Sequence, residues 1–301
     1  MLEWKKDGWK AAIALGPTLL IMALFTFYPI VNTFIMAFRN NYQFLRGTDD
    51  GLGIQNFITV FSDPRFMTSL KNTLLMVVVS VPITVVVSIL IAVALNSIER
   101  LRGFFQTIFF LPYVTNTIAL GLVFNTVFHK DFGLFNSIFN LGAVDWLGAE
   151  TTYWRAFFVL MVYTIWNGLA FKIIVLLSGL QNIDRQYYQA AAIDGASKWR
   201  IFRKITIPLL SPMILYTTIT SFIGAFKVYT SVISLFGKGA GASNSFGPNN
   251  MLITVVGYIY NKLWEAGTPF GAASAGSVIL FVIILLITLI QRWVSKSRVH
   301  Y

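Results

Sequence analysis

The chain has 301 residues, a formal net charge of +11 and no cysteine, and 12% of its residues are charged whereas 56% are hydrophobic. Soluble domains contain about a quarter charged residues and a smaller apolar fraction. The composition therefore excludes a disordered chain, a nucleic-acid-binding domain and a disulfide scaffold. The basic residues must be placed along the chain before their excess indicates any partner.

Six stretches are long and apolar enough to be transmembrane helices, which need about 20 residues to cross about 30 Å of hydrocarbon. Four of these stretches contain no charged residue, namely residues 11–38, 72–98, 103–129 and 266–291. The other two, residues 156–183 and 205–237, contain one lysine each, Lys172 and Lys227. The sequence thus predicts an all-α membrane protein with a single transmembrane domain over residues 11–293. The predicted spans cover residues 11–38, 72–98, 103–128, 155–178, 208–236 and 270–292.

The first span follows Lys5, Lys6 and Lys10, an arrangement that signal peptides share. No small-residue cleavage site follows this span, and five further spans do. We therefore interpret it as an uncleaved membrane span.

Six spans place both ends of the chain on the same side of the membrane. If that side is the cytoplasm, thirteen of the 23 Lys and Arg residues lie in inner segments and eight in outer ones. This distribution follows the positive-inside rule. We therefore predict that the N-terminal segment, residues 1–10, and the tail, residues 294–301, are cytoplasmic, and that the net charge reflects membrane topology.

The inner loop between spans four and five, residues 182–207, carries strong signals for two helices. Asn182 or Asp184 can cap a first helix that contains the run Gln-Ala-Ala-Ala, and Asp194-Gly195 ends it. Ser197 can cap a second helix that ends before Pro208. The loop is therefore predicted to be a helix–Gly turn–helix unit.

The second helix of this loop has an apolar stripe with basic residues beside it. On the residues alone, two interpretations stay open. The unit is either an amphipathic hairpin that lies on anionic lipid or a knob whose apolar stripe docks in a groove of a cytoplasmic partner. The stripe consists of Trp199, Phe202 and Ile205.

The loop resembles the signature loop in the permease subunits of binding-protein-dependent ABC importers, with the pattern E-A-A-x-x-x-G and a later I-x-L-P. The resemblance implies that the loop sits in a cleft of a cytoplasmic ATPase subunit and couples its closure to the spans. Gln189 stands where that family usually has Glu, which removes a charge from this coupling surface, although Gln is nearly isosteric and still hydrogen-bonds. Ile207 stands where the family often has Leu. The matching residues are Ala190, Ala191, Asp194, Gly195, Ala196, Phe202, Ile205 and Pro208.

The resemblance covers essentially the whole chain and points to the six-span subunit of maltose-, oligosaccharide- and glycerol-phosphate-type importers. It is carried by LGPTLLIMALFTFYPIVNT, IQNFITVFSDPRFMTSLKNTL, FFLPYV and AASAGSVILFVII. One segment differs: the chain has LFGKGAGASNSFGP where the group often has T-x-G-G-P. The resemblance implies that the chain forms half of the pathway for a carbohydrate, with an oligosaccharide preferred and an anionic substrate such as glycerol phosphate or an acidic sugar as the alternative.

The resemblance also implies a set of partners in a bacterial or archaeal cytoplasmic membrane. These are a second, related permease subunit, two cytoplasmic ATPase subunits and an extracellular solute-binding protein. ATP and Mg would be bound by the ATPase subunits. This chain itself is expected to have no cofactor, no metal site, no catalytic residue and no nucleic-acid partner.

The same resemblance places the sugar site on spans three, four and five, near mid-membrane. Polar residues inside a membrane are the usual pathway candidates, although Ser and Thr more often bond to helix backbone. Lys172 is expected to snorkel toward the cytoplasm or to pair, whereas Lys227 either pairs with a partner subunit or attracts an anionic substrate. The candidate pathway residues are Tyr113, Asn116, Asn167, Gly168, Ser221, Phe222 and Lys227.

Several chemical signatures are absent from the sequence. Gly237-Lys238-Gly239 lacks the upstream Gly and the following Ser or Thr of a P-loop, so energy from ATP would have to come from another chain. No acidic residue lies within a predicted span, which argues against a secondary transporter and against a membrane-embedded enzyme. Purification with a second permease and an ATPase would separate the importer from these alternatives.

Overall fold

The computed structural model describes residues 4–43, 47–98, 100, 102–237, 246–265 and 270–295. Within these ranges the regular structure is helical, apart from two isolated bridges that pair Arg39 with Leu52 and Gln43 with Thr48. The α-helices are α1 (Trp4–Met22), α2 (Tyr28–Phe38), α3 (Gln55–Ser62), α4 (Pro64–Ser97), α5 (Arg102–Val114), α6 (Thr117–Val127), α7 (Leu134–Phe139), α8 (Tyr153–Gln181), α9 (Arg185–Ile193), α10 (Lys198–Ile201), α11 (Ile207–Phe226), α12 (Thr230–Phe236), α13 (Val255–Trp264) and α14 (Phe270–Ser295).

Five helical segments of the described chain are long and apolar enough to cross a membrane, and a bent pair supplies a sixth. The predicted all-α membrane fold is therefore confirmed, with one of its spans broken. The side on which the termini lie stays a prediction. The five segments are Gly8–Phe38, Pro64–Ser97, Tyr153–Gln181, Lys198–Phe226 and Phe270–Ser295, and the pair is Gly103–Val114 with Thr117–Val127.

Span three was expected to be one helix over residues 103–128, but its two halves, α5 and α6, meet at an angle of 101°. Pro112 has no N–H to donate within the last turn of α5. Asn116 then starts a new helix, because its side-chain oxygen accepts the backbone N–H groups of Ile118 at 2.8 Å and Ala119 at 3.4 Å. The break therefore follows from a proline that weakens one helix and an asparagine that caps the next.

The prediction that the second loop helix ends before Pro208 is wrong. The helix that starts at Lys198 continues through a π-helical turn, Phe202–Thr206, into α11 without interruption. Pro208 lies at the start of α11, next to a turn where the regular i→i+4 pattern is already altered, so its missing N–H is tolerated.

Span five also ends earlier than residue 236. Helix α11 stops at Phe226, and α12 begins at Thr230 after a short connection. Parts of other predicted segments lie outside the described residues: 1–3 at the N-terminus, 238–245 in the outer segment that departs from the family pattern, and 296–301 in the tail.

The chain divides into two compact units, and the first consists of residues 1–66 and 258–281. Its small-residue run, Gly271–Gly276, is buried. A Cβ at Gly271 would collide with the side-chain amide of Asn56. That amide is itself buried and donates to the carbonyl groups of Ala37 at 3.0 Å and Arg39 at 2.8 Å at the end of α2. The small residues of this run therefore permit close packing within the chain's own first unit.

The second unit, residues 67–257 and 282–301, is organised around α8. Helices α5, α11 and α12 all contact α8, and α12 also packs on α6. Two glycines permit the closest approaches: a Cβ at Gly179 would lie 2.7 Å from Met213 Cγ, and a Cβ at Gly121 would collide with the backbone of Ser234 on α12. The two halves of span three therefore have different main neighbours, α8 for α5 and α12 for α6.

The contact at Gly121 predicts a specific loss of stability. Gly121→Ala should lower the free energy of unfolding by about 1–3 kcal/mol, because backbone atoms of α12 must move to admit the methyl group. Gly224→Ala is the matched control, since nothing lies within 4 Å of a Cβ at that position, and Ala is the better helix former. Thermal unfolding of the purified protein in detergent measures both. Equal effects of the two substitutions would contradict the packing argument.

Candidate functional site

The coupling loop, residues 182–207, begins with a helix whose two ends are both stabilised by local hydrogen bonds. Asp184 caps α9, since its carboxylate accepts the backbone N–H of Gln186 at 2.9 Å. At the other end Gly195 adopts the left-handed conformation with φ of +66°. The N–H of Ala196 then donates to Ala191 O at 2.9 Å and the N–H of Gly195 to Ala192 O at 3.1 Å. This is a Schellman motif, which requires a left-handed residue at that glycine.

The second helix of the coupling loop is an extension of span five. Ser197 Oγ accepts the N–H of Arg200 at 3.4 Å and so caps α10. The continuous helix Lys198–Phe226 is 29 residues long. The hydroxyl groups of Tyr188 on α9 and Thr206 lie 3.3 Å apart and join the first helix to the second. The loop is therefore a braced elbow at the end of a membrane-spanning rod.

The predicted coupling residues differ in exposure. Gln189, Ala190, Asp194 and Gly195 are exposed, Ala191 is buried, and the other four are partly buried. A shallow groove between the two helices is lined by both carboxylate and basic side chains; its residues are Ala191, Asp194, Ala196, Arg200, Ile201, Lys204 and Ile205.

An apolar ridge lies on the second helix of the elbow. Trp199 is 68% exposed, and its ring stacks on Phe202 with centroids 5.5 Å apart. Most of Trp199, the first residue of the predicted stripe, is therefore left uncovered by the described residues of this chain. Exposed tryptophan residues occur both in protein docking surfaces and at membrane–water interfaces, so this ridge fits both interpretations of the loop.

The break in span three is braced by two side chains of α8. Tyr163 OH donates to the carbonyl of Thr117, the first residue of α6, at 3.0 Å. One turn further along α8, Asn167 Nδ2 donates to the carbonyl of Pro112 in α5 at 3.5 Å. Side chains of the neighbouring span thus hydrogen-bond to the backbone on both sides of the break.

Several predicted pathway residues meet at this break. Tyr113 and Asn116 are exposed in the chain, and Asn167 and Gly168 are partly exposed. The ring of Tyr113 stacks on Phe171 with centroids 5.9 Å apart. An aromatic face and two amide side chains therefore lie around one interruption of the backbone.

The predicted pathway residues of span five differ from one another. Ser221 is buried, and its hydroxyl donates to the carbonyl of Thr217 on the same helix. Phe222 is partly exposed, and Lys227 is exposed at the end of α11, where its N–H donates to Gly224 O at 3.1 Å. In this chain Phe222 and Lys227 have accessible surface, whereas Ser221 is occupied in packing.

Sequence reasoning missed a buried amide at the start of α4. Asn72 Nδ2 donates to the carbonyls of Met251 at 2.8 Å and Ile253 at 2.9 Å, and its Oδ1 accepts the hydroxyl of Tyr153 at 3.1 Å. One side chain thus joins the segment before α13 to the start of α8. An asparagine beside an otherwise apolar span was the only available signal for it.

A cluster of charged groups in the first unit was also missed. Asp63 Oδ2 lies 3.3 Å from Lys262 Nζ and accepts the hydroxyl of Tyr258 at 3.1 Å. Glu265 lies 3.1 Å from Lys262 Nζ and 3.5 Å from an amino group of Arg65. Only the turn at Ser62-Asp63-Pro64 was recognisable from the sequence.

The cluster perturbs its carboxyl groups. Burial raises the pKa of Asp63, but hydrogen bonds from Arg65 and Lys262 and the charge of Arg65 outweigh it and hold the pKa below its ordinary value of 3.8. Burial likewise raises the pKa of Glu265, and the hydrogen bonds and charges of Lys262 and Arg65 lower it further than burial raises it. Both carboxylates are therefore stabilised in their ionised form.

Comparison with known families gives one match over most of the chain. Residues 84–300 match the family described as binding-protein-dependent transport system inner membrane component.

Curated relatives resemble nearly the whole chain. The lactose transport system permease protein LacF of Rhizobium radiobacter is 30% identical over 97% of this chain and 95% of its own length. The arabinooligosaccharides transport system permease protein AraP of Bacillus subtilis is 32% identical over 97% of this chain and 93% of its own length. The trehalose/maltose transport system permease protein MalF of Thermococcus litoralis is 29% identical over 94% and 92%.

Solved structures share the fold. A chain in the crystal structure of a bacterial ABC transporter for import of the acidic polysaccharide alginate superposes with a TM-score of 0.82 at 24% identity, over 98% of this chain and 97% of that one. A chain of a bacterial alginate ABC transporter in complex with an alginate pentasaccharide-bound periplasmic protein gives 0.82 at 23% identity, over 99% and 98%.

The charged cluster predicts a dependence of stability on pH. Because the folded-state pKa of Asp63 lies below its ordinary value, its contribution is present above that value and is lost as pH falls below about 4. Asp63→Asn should lower the thermal midpoint at pH 7 and flatten its fall between about pH 5 and about pH 2.5, a window that starts above ordinary carboxyl pKa values and extends below them. Asp131→Asn, at an exposed position, is the control. An unchanged pH profile in Asp63→Asn would contradict this role.

Proposed function

Because the chain belongs to the family of inner membrane components of binding-protein-dependent transport systems, we propose that it forms half of the translocation pathway of an ATP-driven importer for a carbohydrate, most simply an oligosaccharide. It is a permease of the bacterial inner membrane type. The catalytic step that releases energy, ATP hydrolysis, belongs to a separate subunit, and this chain converts that energy into movement.

The substrate class is supported by the relatives. Permeases named for lactose, arabinooligosaccharides and trehalose/maltose are 29–32% identical to this chain over more than nine-tenths of its length. The site at the break of span three fits such a ligand. Sugars offer hydroxyl groups to amides such as Asn116 and Asn167, and apolar ring faces to an aromatic residue such as Tyr113.

The partners follow from what a half-pathway needs. A second, related permease completes the passage, a binding protein outside the membrane delivers the sugar, and two ATPase subunits with ATP and Mg drive the cycle. The most apolar stretch of the segment Gly8–Phe38 is not buried by the other described residues. We therefore expect this stretch to contact either lipid or the second permease. The relative solved with a periplasmic protein supports the outer partner.

The observation that carries the mechanism is the continuity of the coupling loop with span five. A helix from Lys198 to Phe226 extends about 43 Å at 1.5 Å per residue. A displacement of the elbow, when the ATPase closes, therefore moves the far end of span five. That end leads into α12, which packs on α6, the outer half of the broken span three. The movement reaches the break at which the candidate sugar-binding residues lie.

The elbow is the surface for the ATPase in this mechanism. Its exposed Trp199, its groove and the exposed Gln189 supply apolar, charged and hydrogen-bonding contacts. Gln189 is uncharged where the family usually has Glu, so it contributes a hydrogen bond in place of an ion pair. A lipid-bound hairpin would have no need of a rigid connection to span five, and the braced geometry favours the protein partner.

The glycine at the bend predicts a graded mutational effect. Gly195→Val should leave the chain inserted and assembled but reduce ATP-driven sugar uptake by roughly tenfold, because a left-handed β-branched residue costs about 1–2 kcal/mol or more. Gly195→Asn is the matched control and should retain most uptake, since Asn tolerates this conformation. Uptake and binding-protein-stimulated ATP hydrolysis are measured in proteoliposomes that contain both permeases and the ATPase.

Full uptake by Gly195→Val would contradict the coupling role of the elbow. Equal loss in Gly195→Val and Gly195→Asn would contradict the backbone argument and assign the effect to the side chain's bulk against the ATPase. Failure of the purified chain to bring down an ATPase and a second permease would contradict the importer assembly itself.

A further inference from the structure

A lysine side chain lies close to the midpoint of span four. Lys172 Nζ donates to the carbonyl of Gly168 at 2.8 Å. Helix α8 runs from Tyr153 to Gln181, so Gly168 is one residue from its centre. A cation at the middle of a membrane helix costs about 2.5–3.5 kcal/mol on insertion scales, which makes this position one that needs a chemical explanation.

Snorkelling, which the sequence led us to expect, does not account for it. Side chains of a helix lean toward its N-terminus, and the ammonium group points back toward Gly168 and away from the cytoplasmic end of α8. From Gly168 the two ends of α8 are about 20 Å away, at 1.5 Å per residue. The charge therefore stays near mid-membrane.

An ion pair within the chain does not account for it either. The salt bridges among the described residues involve Arg39, Arg65, Lys130 and Lys262, and none of them reaches Lys172. An ammonium group has three N–H donors, and the described residues accept one of them, through Gly168 O. Lys172 as a whole residue is partly exposed in this chain.

Three residues form a strip along one face of α8, and Lys172 is one of them. Thr164, Gly168 and Lys172 are spaced four residues apart and lie on one face of α8. The hydroxyl of Thr164 is buried and has no hydrogen-bond partner within the described residues. A Cβ at Gly168 would lie 3.4 Å from Lys172 Nζ and 3.3 Å from a methyl carbon of Thr84 on α4, so the absence of a side chain at Gly168 lets the ammonium lie close to the helix backbone.

This strip adjoins the face of α8 that braces span three. Tyr163, Asn167 and Phe171 each precede one member of the strip by a single residue. Phe171 stacks on Tyr113, and Asn167 contacts the end of α5. Lys172 therefore directly follows, on the same membrane helix, the aromatic residue that stacks on Tyr113.

We propose that the ammonium group of Lys172 binds the carboxylate of an acidic sugar, and that the imported carbohydrate is an oligosaccharide containing uronic acid units. This inference rests on the proposed carbohydrate import. A carboxylate supplies the missing acceptor oxygens and the missing counter-charge, and a charge-assisted hydrogen bond is strong where water is scarce. A neutral sugar would leave the ammonium uncompensated.

The test uses the complete complex in proteoliposomes: this chain with its second permease, ATPase and binding protein. The probes are trigalacturonate and saturated alginate trisaccharides, with maltotriose and cellotriose as neutral trisaccharides. Wild type is expected to take up an acidic trisaccharide in an ATP-dependent way. Lys172→Gln should reduce that uptake by about tenfold or more, as expected for loss of one hydrogen bond to a charged group. Lys172→Arg, which keeps the charge, should retain most of it.

The other outcomes overturn the inference in distinguishable ways. Uptake of neutral trisaccharides alone by wild type would contradict the acidic substrate and leave carbohydrate import standing, whereas uptake of none of the four would contradict both. An equal change in Lys172→Gln and Lys172→Arg, at unchanged complex yield, would assign the lysine a structural role. Loss of the second permease on size-exclusion chromatography of Lys172→Gln would place the counter-charge on that subunit.

Discussion

In hydrocarbon every backbone N–H and C=O must find a partner inside the protein, and this constraint decides where the chain can be irregular. Span three is interrupted, and side chains hydrogen-bond to the backbone on both sides of the interruption. Asn116 caps α6, Asn167 donates to the carbonyl of Pro112, and Tyr163 donates to the carbonyl of Thr117. Such interruptions are tolerated where they are buried in protein or line a cavity. We therefore expect the break to lie against protein or a cavity and not against lipid.

The same constraint makes the unbroken helices useful as levers. Because Lys198–Phe226 keeps its helical hydrogen bonding through the π turn at Phe202–Thr206, the coupling loop and span five form one element. A Schellman turn at Gly195 fixes the elbow at one end, and the contact of α12 with α6 links the other end to span three. Under the proposed function, these packed helices connect the surface for the ATPase with the candidate sugar-binding residues.

Hydropathy and the family signature predicted much of this from sequence. The apolar runs located the spans, and Asp184, Gly195 and Ser197 have the capping roles that their residue types predicted. The sequence did not reveal that Pro208 would sit inside a continuous helix, since a proline equally ends helices and begins them. It also did not reveal the partners of Asn72, Asp63 or Lys172, because these depend on carbonyls and side chains brought together by tertiary packing from distant parts of the chain.

The central claim, that the elbow and span five move as one rod, is tested most directly by distance measurement. The chain has no cysteine, so spin labels can be placed at Lys198 and Tyr216, both exposed on this helix, and at Lys130 in the connection between α6 and α7. Double electron–electron resonance of the assembled complex, with and without ATP, should give an unchanged separation of about 27 Å between residues 198 and 216. The separation between residues 198 and 130 should change. A nucleotide-dependent change between 198 and 216 would contradict the account.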